Sequence, residues 1–128
     1  MDKIATKKAP EAIGPYSQAV RVGGLLFVSG QLPIDPITRK IVRGDIGVMT
    51  RRILKNIEAI LEEAGVELDD IVKATIFLKD MEDYSEVNRE YGTHFSGPIF
   101  PARETVQVSA LPLGARIEIS CVASLGGE

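Results

Sequence analysis

Two charged residues stand in apolar surroundings near the end of the chain. In PARETVQVSALPLGARIEIS, residues 101–120, Arg103 begins one run of strand-forming residues and Glu118 interrupts another. A strand that only feeds a core needs neither. Arginine presents a planar, permanently charged fork that holds a carboxylate through two parallel hydrogen bonds. Glutamate polarises a water, or takes and returns a proton, when its pKa suits. Together they fit a small carboxylate substrate attacked by water. Spacing alone favours a salt bridge or two solvated charges, which are common on surfaces and worth little.

Other side chains are weaker candidates. Tyr16 lies in GPYSQ ahead of a strand, where a packing tyrosine is the plainer meaning. Ser29 and Gly30 in VSGQ end a strand, and glycine there permits close backbone approach. Asn88 falls on an expected helix, where most asparagines are simply solvated. His94 is the single histidine, so a histidine-rich metal cluster is excluded. No CxxC, HExxH, GxSxG or Walker-type loop occurs.

The elements that must position these residues are legible. QAVRV and LLFVSGQ flank Gly23-Gly24, a hairpin signal. PIDPITRKI is turn-rich. Ile46, Met49, Ile53, Ile57, Ile60, Leu61 and Ala64 recur at helical spacing and predict a helix over 45–64, with Gly65 just past its end. DIVKATIFLKD predicts a strand buried on both faces. DYSEVNREYGTHF predicts a second helix, with Asp83 as N-cap and Glu86 completing a capping box. Strands follow over 102–110 and 115–125. The order β-β-α-β-α-β-β implies an α+β fold with helices on one face of a sheet. Alternation along the last strands puts Val106, Val108 and Ala110, and Ile117, Ile119 and Cys121, beneath the helices. The same alternation sends both Arg103 and Glu118 to the other, polar side. That side also carries apolar residues of the central strand, so burial against another copy of the chain is expected.

Composition sets the class. The 128 residues suit one domain over 1–128, with 45% hydrophobic and 26% charged residues. A net charge of −3 and no basic stripe argue against nucleic acid as a partner. The lone Cys121 allows no internal disulfide. No signal peptide or membrane-length apolar run is evident, which suggests a cytoplasmic protein.

Taken together, AIGPYSQAV, LLFVSGQLP, NIEAILEEAG, DDIVKATIFLKDMEDYSEVNREY and PARETVQVSALPLGARIEIS resemble the RidA (YjgF) family of reactive-intermediate deaminases over nearly the whole chain. The resemblance implies a chorismate-mutase-like fold and a homotrimer with clefts between subunits. In that fold another strand can lie between the last two. It implies hydrolysis of 2-imino acids such as 2-iminobutanoate and 2-iminopropanoate, or their enamine tautomers, to 2-keto acids and ammonia, with no cofactor or metal. Carried over by motif, Arg103 grips the substrate carboxylate and Glu118 activates water. Tyr16, Ser29, Gly30, Asn88 and Thr105 line the cleft. Thr105 stands where many members have cysteine, and Glu104 where a small residue is usual. Two other roles remain open: a ligand-binding regulatory trimer without turnover, and an RNA-cleaving translation inhibitor.

Overall fold

The computed structural model describes residues 1–126. Its strands are β1 (Asp2–Ile4), β2 (Ala19–Val22), β3 (Leu25–Gln31), β4 (Ile71–Leu78), β5 (Ala102–Gln107) and β6 (Ile117–Ser124), and its helices are α1 (Ile46–Glu63) and α2 (Tyr84–Gly92). The sheet runs β1-β2-β3-β6-β4-β5. The β4–β5 pair is parallel and every other pair is antiparallel. This is the expected α+β arrangement, with the short β1 added at one edge. The last two strands do not form a hairpin, because β4 lies between them.

Sequence-local signals explain α1. The carboxylate of Asp45 accepts from the Val48 amide at 2.9 Å, capping the first turn. At the other end, Gly65 takes φ +82°, its N–H donates to Glu62 O, and Val66 N–H donates to Leu61 O. These two bonds form a Schellman cap, which a residue with a Cβ would strain. Ile53, Leu54, Ile57, Ile60 and Leu61 are fully buried against Leu26, Ile76, Leu78, Ile117 and Ile119 of the sheet.

α2 departs from its expected cap. Asp83 makes no side-chain capping bond and sits in the helical region. Its carboxylate instead accepts from Arg116 Nη2, both oxygens at 3.0 Å. A charged partner at the start of β6 competes successfully with the neutral amide. α2 is fastened to α1 through Glu90, which accepts from Arg51 at 3.1 and 3.2 Å and meets His94 Nε2 at 2.7 Å. His94 therefore serves the helix–helix contact.

The second expectation corrected is the burial of β4. Ile71, Ala74, Ile76 and Leu78 are buried, but Val72 is exposed and Thr75 and Phe77 are half-buried. Only one face of the sheet is covered by helices. The other carries Val22 (49% exposed), Phe27 (42%) and Val106 (42%) beside Leu25 and Phe77. Exposed apolar side chains gathered on one face are a feature of interaction surfaces. Among the described residues, no helix is long and apolar enough to cross a membrane.

Candidate functional site

Sheet register decides where Arg103 and Glu118 point. In the parallel β4–β5 pair Ala74 faces Arg103 and Ile76 faces Thr105. Ala74 and Ile76 are buried beneath the helices, so Arg103 and Thr105 lie on the helix side. Glu118 is paired with Phe77, which also faces Val106, and these lie on the open side. The two charges are therefore on opposite faces of the sheet. The expectation that both leave from one polar side is wrong for Arg103, and the placement of Val106 beneath the helices is wrong with it. The physical reason is that β5 is an edge strand. α2 covers it with tyrosines and an asparagine rather than aliphatics, leaving a cavity that accepts polar residues. The open face keeps the valine.

Around Arg103 the structure builds a cavity of about 430 Å³ lined by Asn88, Tyr91, Gly92, Phe100, Pro101 and Arg103. Arg103 Nη2 donates to the Tyr84 hydroxyl at 3.0 Å. Its guanidinium carbon lies 4.9 Å from the Tyr91 ring centroid and 5.7 Å from that of Tyr84. Both distances are within cation–π range. Among the described residues no carboxylate forms an ion pair with Arg103, so the salt bridge with Glu118 is not made within one chain. The hydroxyls of Tyr91 and Thr105 are buried without a hydrogen-bond partner. Burial pushes the Tyr91 phenol up to about 12, against the pull of Arg103, so it stays protonated.

A second group gathers around Glu118. Between Val28 and Gln31 the β3–β6 register shifts, forming a bulge at Ser29 and Gly30. The bulge brings Gly30 against the Glu118 carboxylate, so closely that a Cβ at position 30 would collide with it. Ser29 Oγ donates to Ser17 O at 2.6 Å, and Ser29 N–H to Gln18 O at 2.9 Å. These bonds tie the Tyr16 loop to the same end of β3. Tyr16 itself is exposed and borders a separate open groove with Lys3, Lys7 and Arg39. Burial raises the Glu118 carboxyl above its ordinary value.

The candidate residues thus fall into two separate groups. One holds Arg103, Asn88 and Thr105; the other holds Glu118, Gly30, Ser29 and, through its loop, Tyr16. One chain does not join them. Sequence reasoning missed Tyr84, Tyr91 and Phe100. The i, i+4, i+7 spacing of Tyr84, Asn88 and Tyr91, one face of α2, is the signal that could have found the tyrosines. Glu104 points away from the cavity, ion-paired with Lys73 at 3.2 Å. Cys121 is buried beneath the helices, and burial pushes its thiol up to about 12.

Comparisons with known proteins match the chain over nearly its whole length. The Endoribonuclease L-PSP family model matches residues 6–125. A RutC family protein of Pyrococcus abyssi is 52% identical over 120 residues, 94% of each chain. Reactive Intermediate Deaminase A of Arabidopsis thaliana, a chloroplastic protein, is 46% identical over 122 residues, covering 95% of this chain and 65% of that one. The crystal structure of YyfA from Yersinia pestis, a member of the conserved Rid protein family, is 53% identical with a TM-score of 0.93, covering 96% of this chain and 98% of that one.

Proposed function

We propose that the chain, which belongs to the RidA/YjgF family, hydrolyses small 2-imino acids such as 2-iminobutanoate and 2-iminopropanoate to 2-keto acids and ammonia, as a cytoplasmic homotrimer. The observation that carries this reading is Arg103. Its guanidinium is held by two tyrosines at a cavity, and it has no ion-pair partner among the described residues. A fixed fork with a free edge suits a planar carboxylate.

Because Arg103 and Glu118 face opposite sides of one sheet, a reaction that uses both needs two copies of the chain. The apolar open face supplies a reason for the copies to pack, and burying it brings a neighbour against the face that carries Glu118. A ring of three closes such a heterologous contact.

In the assembled cleft, Arg103 holds the carboxylate and presents the iminium carbon. The Glu118 carboxylate takes a proton from water as the water oxygen bonds to that carbon. The C=N π electrons move to nitrogen, giving a carbinolamine. Glu118 returns the proton to nitrogen, and the regenerated carboxylate then takes the proton of the carbinolamine hydroxyl as the carbonyl forms and the C–N bond breaks; the departing ammonia leaves with the nitrogen's electron pair and collects that proton from Glu118 as ammonium. A raised Glu118 pKa brings the carboxyl closer to the pH at which it must both accept and return a proton. Asn88, Ser29, Gly30, Tyr16 and Thr105 shape the pocket.

The test generates the imine in situ from threonine or serine with a pyridoxal-phosphate-dependent dehydratase and follows keto-acid release. Faster release than in the enzyme-free control is expected. An unchanged rate with bound keto acid would favour a ligand-binding trimer without turnover.

A further inference from the structure

We propose that Tyr84 and Tyr91 are positioning residues that fix the plane and rotation of the Arg103 guanidinium, so that one edge of its fork is presented to a carboxylate in the cavity. The inference rests on the reading of Arg103 as the carboxylate clamp and adds what makes that clamp rigid.

A free arginine side chain carries rotamer entropy, which weakens any contact that must first order it. Here two constraints act before a ligand arrives. The Tyr91 ring lies 4.9 Å from the guanidinium carbon and fixes the plane of the group. The Tyr84 hydroxyl accepts from Nη2 at 3.0 Å and fixes its rotation. Neither contact neutralises the charge.

The clamp is itself anchored. Tyr91 is buried and its ring packs 4.8 Å from that of Phe95, which meets Phe100 at 6.1 Å across the cavity rim. The shared helix is pinned to α1 by Arg51, Glu90 and His94. Asn88 sits between the tyrosines on the same helical face and also lines the cavity. A carboxylate thus meets a preset fork, a face of apolar rings and one amide.

The experiment measures binding of 2-oxobutanoate and of its neutral carboxamide to the full-length assembled protein by calorimetry. For Tyr84→Phe, which keeps the ring, the carboxylate should bind about 3- to 10-fold more weakly, the range of one lost hydrogen bond. The carboxamide affinity should hardly move. KM for the imino acid should rise by a similar factor, with a smaller change in kcat. Tyr91→Leu should also weaken the carboxylate selectively, and Tyr91→Phe should recover part of that loss. Tyr84 is substantially exposed, so its variant should fold even if Tyr91→Leu does not. If folded Tyr84→Phe binds the carboxylate as tightly as wild type, the proposal is overturned. It is overturned as well if the wild type binds neither probe. If the wild type shows no turnover but the affinity difference persists, the deaminase reading fails and the clamp stands.

Discussion

Placement of Arg103 and Glu118 on opposite faces of one sheet predicts complementation between inactive variants. Arg103→Ala removes the clamp while leaving Glu118, and Glu118→Gln does the reverse. Losing the cationic partner of a desolvated carboxylate costs about 2–5 kcal/mol, so Arg103→Ala alone should lose at least roughly 30-fold in kcat/KM. Each variant should still assemble, since neither side chain belongs to the buried apolar cluster. The two are then mixed in equal amounts, unfolded and refolded together, so that subunits exchange. A cleft is intact when the chain supplying Arg103 is the Glu118→Gln variant and its neighbour is the Arg103→Ala variant. With random assembly into closed rings each condition is met half the time, so about one quarter of clefts, and about one quarter of wild-type activity, should return. Keto-acid release is the readout, with light scattering to establish a solution mass of about three chains before and after mixing. If exchanged trimers stay as inert as their parents, the two residues do not share a cleft across subunits, and this account of the site is refuted.

Further outcomes follow from the same geometry. Arg103→Lys keeps the charge but not the fork or the stack on Tyr91; losing one charged hydrogen bond of roughly 1.5–3 kcal/mol should lower kcat/KM about 10- to 100-fold. Glu118→Gln should lower kcat more than it raises KM in steady-state assays. Burial raises the Glu118 pKa, so the fold favours the protonated carboxyl. That stabilisation is complete below the ordinary carboxylate pKa and is lost as pH rises through the raised one. Thermal melts should therefore show Glu118→Gln more stable than wild type at neutral pH, with the gap closing on acidification. A less stable variant at neutral pH would mean that a cation, not burial, governs the charge. Gly30→Ala puts a methyl where the Glu118 carboxylate lies. The flexible end of Glu118 can swing away, so fold and mass should persist, while a displacement of about 1 Å costs on the order of 100-fold in activity. Wild-type kinetics for this variant would show that the carboxylate position does not matter.

Helical segments were legible because their signals are local. Asp45, the apolar stripe to Leu61 and Gly65 place α1 within one residue of its observed ends. Strand existence was legible too, but not what each strand faces. β5 reads ARETVQ, and its alternation separates Arg103 and Thr105 from Val106 correctly. Which of the two sets turns toward the helices is set by β4, through a parallel register that no residue in β5 encodes. The usual rule that apolar residues face the helices fails here, because the free chain has a second apolar side awaiting cover. The Asp83 cap failed for a related reason: its competitor, Arg116, is far away in sequence. β1 is three residues long and carries too little pattern to be seen.

The same inversion explains how a fold this small can carry a site. A chain of this length has one good core, and α1 and half of α2 occupy it. Polar side chains placed in that core would cost several kcal/mol each unless paired. The molecule instead puts Arg103 where α2 overhangs the edge strand and Glu118 where a bulge breaks the open face. Both positions are half-exposed in the single chain, so each charge keeps enough water for the fold to tolerate it. Stability and chemistry then draw on different surfaces. The aliphatic core holds the chain together, and in the proposed assembly the low-dielectric cleft is made only when open faces meet. On this account the apolar open face and the separation of Arg103 from Glu118 are one feature. A variant that made the open face polar, for example Phe27→Glu, would leave both half-sites folded and no place for them to act.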